Sequence, residues 1–245
     1  KLMTDYSFFR RKIGNIEAIE CPGNPQDPII ILCHGYGSLA DNLTFFPSIC
    51  SFSKLRPTWI FPNGILPLEN DFRGSRACFP LNVLLLQELS RLYANGVGNL
   101  QEKYDELFDV DLETPKEALE ELILNLNRPY NEIIIGGFSQ GAILATHLVL
   151  TSQNPYAGAL IFAGARLFNQ GWEEGLKQCA QVPFLQSHGY EDEILPYHLG
   201  AHLNDLLLTK LNGQFVSFHG GHEIPSVVFQ KMQVTVPNWI DPARG

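Results

Sequence analysis

Residues 133–145 read IIIGGFSQGAILA, and the two halves of this stretch favour different secondary structures. Its β-branched apolar run favours a buried strand, whereas the residues that follow Ser139 favour a helix. Between the two, glycines stand on either side of a single serine. A strand that turns directly into a helix is typical of a parallel sheet, because parallel neighbours need a crossover connection. The stretch therefore predicts an α/β fold with Ser139 at the turn.

The same alternation continues along the rest of the chain. Helical spacing occurs at about 41–52, 115–127, 140–150, 197–211 and from 225 onward. The runs typical of strands are 16–20, 29–34, 58–63, 132–137, 158–164, 182–189 and 214–220. This order predicts a mostly parallel central sheet with helices on both faces. We expect residues 1–245 to form one domain, with an excursion of loops and short helices, typical of a lid, at about 69–111.

Composition excludes several classes of function. A chain of 245 residues with 45% hydrophobic residues can bury one sizeable core, and its net charge of -9 disfavours nucleic acid as a partner. The five cysteines include no CxxC pair, so we expect a reducing compartment, the cytoplasm, and no zinc site. Because no apolar run approaches the roughly 18 residues of a membrane helix, we predict no stable membrane insertion. The N-terminal residues also lack the apolar core of a signal peptide.

The pattern G-x-S-x-G around Ser139 is weak by itself, and its position between strand and helix makes it informative. In a nucleophile elbow, the glycines allow a turn too tight for side chains, and the serine adopts a strained backbone that exposes its hydroxyl. The alternative is an ordinary glycine-rich turn in which Ser139 caps the helix.

A serine hydroxyl is a weak nucleophile unless a base accepts its proton and a carboxylate orients that base. In this architecture the acid and then the histidine follow the serine along the chain. His198 and His202 lie four residues apart on a predicted helix, but HLGAH lacks the glutamate of a metalloprotease motif, so no metal site is predicted. We assign His219 to the last strand with a structural role. His222 lies in a glycine-bounded loop after that strand and is the candidate base.

The acid is expected after the preceding strand, where Glu191, Asp192 and Glu193 are adjacent. Three neighbouring carboxylates cannot all point inward, and spacing alone leaves the choice among them open. A solvated acidic turn is the alternative to a catalytic role.

Three segments together resemble the phospholipase/carboxylesterase family of α/β-hydrolases, which includes the acyl-protein thioesterases. They are GGFSQG at 136–141, HGYEDEILP at 188–196 and GGHEIP at 220–225. The resemblance implies the α/β-hydrolase fold, Ser139 as nucleophile, Asp192 as acid and His222 as base, with no metal or cofactor. Ser38 and the pair Cys78–Phe79 depart from the family's pattern, which leaves the substrate preference open.

Hydrolysis through a tetrahedral intermediate also requires donors for the oxyanion. One should be the backbone N–H of Gln140, the residue after the nucleophile. The turn HGYG at 34–37 resembles the family's H-G-x-G turn, which implies the N–H of Tyr36 as the second donor.

Apolar side chains near these motifs suggest a site for an acyl chain. We assign substrate binding to Phe79, Leu81 and Leu195, with core packing as the alternative for each. The predicted function is a serine hydrolase that cleaves carboxylic esters or thioesters of short to medium acyl chains through an acyl-enzyme. Lysophospholipase and acyl-protein thioesterase activity stay open, as does an acyltransferase with the same triad. The sequence is compatible with a monomer and with a homodimer.

Overall fold

The structure is a computed structural model that describes residues 6–69 and 71–240. Its strands are β1 (Phe9–Ile13), β2 (Ile16–Cys21), β3 (Ile29–Cys33), β4 (Thr58–Pro62), β5 (Leu66–Pro67), β6 (Arg76–Ala77), β7 (Ile133–Phe138), β8 (Gly158–Phe162), β9 (Phe184–Gly189) and β10 (Gly213–Phe218). Its α-helices are α1 (Phe46–Ile49), α2 (Val83–Ala94), α3 (Gln101–Leu107), α4 (Glu113–Asn125), α5 (Gln140–Thr151), α6 (Trp172–Gln178), α7 (Tyr197–Leu208) and α8 (Ser226–Ile240). Short 3₁₀ turns occupy Ala40–Leu43 and Tyr130–Glu132.

Eight strands form one central sheet in the order β1-β2-β4-β3-β7-β8-β9-β10. The strands from β4 to β10 in this order are parallel, whereas β1 and β2 form an antiparallel hairpin on the edge next to β4. β5 and β6 form a separate two-stranded ribbon. The predicted mostly parallel sheet is therefore confirmed, and β7 lies near its middle.

The sheet separates two hydrophobic cores, because successive side chains of a strand point to opposite faces. On β3, Ile31 packs into one core and Ile30 into the other. We call the side covered by α2 to α7 the first face, and the side covered by α1 and α8 the second face. Helices thus cover both faces, and the carboxyl ends of the parallel strands meet along one edge.

All seven predicted strands are present within two residues of their expected ends. The hairpin strand β1 was not predicted, because its Arg and Lys residues lie exposed on an edge and show no apolar alternation. The helix expected at 41–52 is wrong in extent. A 3₁₀ turn and the four-residue α1 replace it, because Pro47 cannot donate a helical hydrogen bond and stands instead at the start of α1.

The excursion at 69–111 contains more regular structure than expected. Its helix α2 has 12 residues and begins where the Asn82 side chain accepts a hydrogen bond from the Leu85 N–H at 3.0 Å. Asn70 lies outside the described residues, as do residues 1–5 and 241–245 of the predicted domain. Within the described ranges, no helix combines the length and the apolar character needed to cross a membrane.

Candidate active site

The candidate residues come together at the carboxyl edge of the parallel strands, where ligands bind in open α/β sheets. Ser139 follows β7, Asp192 follows β9 and His222 follows β10, while Tyr36 follows β3. The sheet therefore collects residues that are up to 186 positions apart in the sequence, which is the difference between positions 36 and 222.

Ser139 occupies a sharp turn between β7 and α5, with φ 56° and ψ -117°. A positive φ is rare for a residue with a side chain and costs roughly 1–3 kcal/mol. Strand and helix approach each other so closely that a Cβ at Gly137 would lie 2.3 Å from the carbonyl carbon of Gly141. A Cβ at Gly141 would lie 2.1 Å from the Cys33 oxygen. The predicted strained elbow is confirmed in its backbone geometry, and both glycines are required by contact.

The side chains of Ser139, His222 and Asp192 form a continuous chain of hydrogen bonds. His222 Nε2 lies 2.9 Å from Ser139 Oγ, and His222 Nδ1 lies 2.7 Å from Asp192 Oδ2. An ionised carboxylate only accepts hydrogen bonds, so the proton is on Nδ1 and Nε2 accepts from the serine hydroxyl. In this arrangement an imidazole can remove the proton of the hydroxyl.

Asp192 is fully buried, and hydrogen bonds fix both of its oxygens. Oδ1 accepts the backbone N–H groups of Ile194 and Leu195, each at 2.9 Å, and Oδ2 accepts His222. A buried carboxylate is tolerated only when its oxygens are satisfied in this way. Of the three adjacent carboxylates, Asp192 alone contacts His222, whereas Glu191 and Glu193 are exposed.

His219 differs from its predicted place. The ladder between β9 and β10 ends at the pair Gly189 and Phe218, so His219 has no strand partner and the assignment to the strand is wrong. Its side chain is 87% exposed, and Nδ1 lies 3.0 Å from Glu191 Oε1. Glu191 also accepts the Gly220 N–H at 2.6 Å, so it joins the two loops that carry Asp192 and His222.

The turn at 34–37 passes directly beside the serine, since a Cβ at Gly35 would lie 3.4 Å from Ser139 Cβ. His34 holds this turn in place. Its ring accepts the Gly64 N–H at Nε2 (2.8 Å) and therefore donates from Nδ1 to the Gly35 oxygen (2.7 Å). Within the described residues, the backbone N–H groups of Tyr36 and Gln140 donate no hydrogen bond to a protein group, and both residues border the cavity.

The Gln140 side chain has a contact that the sequence did not reveal. Its Oε1 accepts the Cys78 N–H and its Nε2 donates to the Phe79 oxygen, both at 2.7 Å. It therefore ties the start of α5 to the segment before α2. No local sequence pattern signals this contact, because its partners lie 62 and 61 positions before Gln140.

A cavity of about 420 Å³ opens beside Ser139, within the range of small-molecule sites. All three predicted substrate residues, Phe79, Leu81 and Leu195, line it. Phe79 and Leu195 are also almost fully buried in the core, so these two residues both pack in the core and line the cavity. The other lining residues are Gly35, Tyr36, Ser38, Asn42, Leu43, Phe45, Leu86, Phe108, Phe138, Ser139, Gln140, Ile143, Ile194, His222 and Ile224.

Two further histidines, His147 and His188, are buried and have defined tautomers. The indole N–H of Trp172 donates to His147 Nδ1 at 3.0 Å, so His147 Nε2 carries the proton that reaches Glu113 at 2.7 Å. His188 Nε2 donates to the Leu195 oxygen at 2.7 Å, behind Asp192. Burial lowers the pKa of His147 and of His188, as it does the pKa of His34, and so favours their neutral forms.

Comparison with known proteins identifies the family of the chain. The model of the phospholipase/carboxylesterase family matches residues 14–240. The chain belongs to this family. Acyl-protein thioesterase 1 of Debaryomyces hansenii is 24% identical over 231 residues, which cover 91% of this chain and 94% of that protein.

Solved structures of this kind share the fold. The Bacillus cereus carboxylesterase superposes with a TM-score of 0.67 at 19% identity, covering 91% of this chain and 94% of its own. Acyl-protein thioesterase 2 of Zea mays gives a TM-score of 0.67 at 16% identity, covering 91% of this chain and 98% of its own. The predicted family, the α/β-hydrolase fold and the assignment to hydrolases of esters or thioesters are thereby confirmed.

Proposed function

We propose that Ser139 is the nucleophile of this hydrolase and that His222 and Asp192 activate it. The observation that carries the proposal is the unbroken contact from Ser139 Oγ through His222 to the buried Asp192, at 2.9 and 2.7 Å. Ser139 Oγ attacks the carbonyl carbon of the substrate while His222 Nε2 takes the hydroxyl proton. Asp192 keeps the imidazole in the accepting tautomer and stabilises the imidazolium that forms.

The negative charge that develops on the carbonyl oxygen needs donors that are already in place. The N–H groups of Tyr36 and Gln140 suit this role, because both border the cavity beside Ser139 and neither has another protein acceptor. When the intermediate collapses, His222 gives its proton to the departing alcohol or thiol, and an acyl-enzyme remains on Ser139. A water molecule then attacks the acyl carbon, His222 accepts its proton, and the carboxylic acid leaves as Ser139 regains its hydrogen.

The substrates in this proposal are esters or thioesters of short to medium acyl chains. The apolar side chains of Phe79, Leu81 and Leu195 support it, since each can contact methylene groups next to the reacting carbonyl. The names of the curated relatives support the inclusion of thioesters.

We also propose a cytoplasmic location for the protein, and a homodimer as its possible assembly. Five buried free cysteines, Cys21, Cys33, Cys50, Cys78 and Cys179, support the cytoplasm as its compartment, since thiols stay reduced there. A homodimer stays a prediction, which the mass in solution by light scattering will test.

A fluorophosphonate probe tests the nucleophile. The native protein should be labelled on Ser139 with a stoichiometry near one, and an excess of ester substrate should slow the labelling. Ser139→Ala should be folded, unlabelled and inactive on p-nitrophenyl butanoate, whereas Ser187→Ala, at a buried serine outside the cavity lining, serves as the matched control. Labelling of another residue, or full activity of Ser139→Ala, would contradict the proposal.

A further inference from the structure

The cavity at Ser139 has two sides, which belong to opposite faces of the sheet. One side is formed by residues that are in, or pack against, the core of the first face: Phe79, Leu81, Leu86, Phe108, Ile143 and Leu195. The other side is formed by Leu43, Phe138 and Ile224, which are in or pack against the core of the second face, and by Phe45. The Phe45 ring contacts Phe46 and Phe229 of that same core. We call these the first side and the second side.

His222 determines which half of a substrate lies on which side, given the proposed function on which this inference rests. The imidazole must protonate the departing oxygen or sulfur, so the leaving group lies next to His222 Nε2. The His222 ring packs on Phe138 of the second side, with 4.8 Å between the ring centroids. The leaving group therefore extends along the second side, and the acyl chain extends along the first side.

The second side offers apolar contact and no ionic partner. Leu43, Phe45, Phe138 and Ile224 supply hydrocarbon surface, and no Asp, Glu, Lys or Arg is among the described residues that line the cavity. The polar Asn42 uses its Oδ1 to accept the Leu39 N–H.

Two acidic residues adjoin this side in sequence, Asp41 and Glu223, and neither lines the cavity; Glu223 is exposed, between His222 and Ile224. Asp41 pairs with Arg10, so its charge is compensated outside the cavity. A phosphate, carboxylate or ammonium group on the leaving group would lose hydration at the second side without gaining a partner.

We propose that the second side is a binding site for an apolar, uncharged leaving group, and that this enzyme prefers esters or thioesters of apolar alcohols or thiols. The acyl chain and the leaving group are then both recognised by hydrocarbon contact, on opposite sides of Ser139. Esters with a charged group close to the scissile bond are poor substrates.

Butanoate esters of four alcohols test this preference at a constant acyl group: methyl, benzyl, para-carboxybenzyl and para-(trimethylammonio)benzyl. We expect kcat/KM for the benzyl ester to exceed that for either charged ester by roughly tenfold or more, because an ionised group is costly to desolvate. The ammonium group makes its alcohol a better leaving group, so a lower rate for that ester reports binding and not chemistry. Equal or higher kcat/KM for either charged ester would overturn the proposal.

Variants assign the effect to the second side. Phe45 is 40% exposed, so its replacement should leave the fold intact. Phe45→Ala should lower the benzyl to methyl ratio of kcat/KM by roughly threefold or more. Phe45→Asp should raise the ratio of the ammonium ester to the carboxylate ester by a similar factor, since it places an anion at this side.

Two controls separate the sides. Leu81→Ala, on the first side, should leave the benzyl to methyl ratio within about twofold of the parent, as should Leu124→Ala on the exposed surface of α4. If Leu81→Ala changes this ratio as much as Phe45→Ala does, the assignment of the two sides is wrong. If no ester is hydrolysed and the fluorophosphonate does not label Ser139, the proposed function itself fails, and this inference fails with it.

Discussion

Replacement of Asp192 by asparagine should remove most of the activity while leaving the fold intact, for a reason that is visible in the contacts of this side chain. The backbone N–H groups of Ile194 and Leu195 both donate to Oδ1 at 2.9 Å. An asparagine at this position must keep its oxygen toward these two donors, because its NH₂ group cannot accept from them. The NH₂ group then faces His222, at the place where Oδ2 now accepts Nδ1–H at 2.7 Å.

Two donors cannot share this contact, so His222 must move its proton to Nε2 and present a lone pair at Nδ1. In that tautomer Nε2 cannot accept the proton of Ser139, from whose oxygen it is separated by 2.9 Å. Loss of the correct tautomer in a serine triad costs about 10⁴ in kcat, or about 5.4 kcal/mol in activation free energy. We expect Asp192→Asn to show a loss of that order.

The assay is kcat on p-nitrophenyl butanoate together with the rate of fluorophosphonate labelling, with the fold checked by circular dichroism. Glu193→Gln is the matched control, because Glu193 is an exposed neighbouring carboxylate, and its kcat should stay within about threefold of the parent. Glu191→Gln should also change kcat little, since an amide oxygen can still accept the Gly220 N–H. A loss below tenfold in folded Asp192→Asn, or equal losses in all three variants, would refute this reasoning.

Two other measurements address the cavity and the buried histidines. On p-nitrophenyl esters, kcat/KM should rise from acetate by at most about fourfold per buried methylene, level off at medium chain length and fall for palmitate. Leu81→Ala should flatten that rise. Phe79→Ala should also flatten it, but with a loss of stability, because Phe79 is buried. A steady increase of kcat/KM up to palmitate would contradict a short cavity. The free energy of unfolding should be greatest above about pH 6.5 and decrease as the pH falls through that value, because burial lowers the pKa of His34, His147 and His188 in the folded state and the unfolded chain takes up protons first. Urea unfolding between about pH 5 and pH 8 measures this dependence, and the free energy of unfolding should change by at most about 1.4 kcal/mol per pH unit for each histidine. The dependence should be shallower in His147→Gln. A free energy of unfolding that does not change over this pH range would exclude the effect.

The order of elements and the elbow could be predicted because their signals are local. The apolar run before Ser139 and the glycines beside it are adjacent in sequence, and they describe the same turn that the structure contains. The edge strand β1 and the helix α6 were missed, since the first is polar and exposed and the second has only seven residues. Helix α2 was underestimated because the glycines and asparagines around it suggested loops.

The site was only partly predictable, because its remaining contacts join distant segments. Spacing could not separate Asp192 from its two acidic neighbours, and family resemblance supplied that choice. The place of His219 depended on where the ladder between β9 and β10 ends, which alternation does not define. The Gln140 side chain reaches partners 61 and 62 positions away, so no pattern around residue 140 could identify them.

The division of the cavity between the two faces of the sheet bears on how this enzyme can diverge. The first side draws most of its residues from 79–108 and the second side from 43–45 and 224, whereas Ser139, Asp192 and His222 stand at strand ends between them. Mutations in the segments of one side can therefore alter the preference for one half of the substrate, while the other side and the proposed catalytic residues stay unchanged. The preference for acyl length and the preference for the alcohol or thiol can therefore evolve through separate sets of substitutions. Recombination between relatives can then combine preferences that evolved separately.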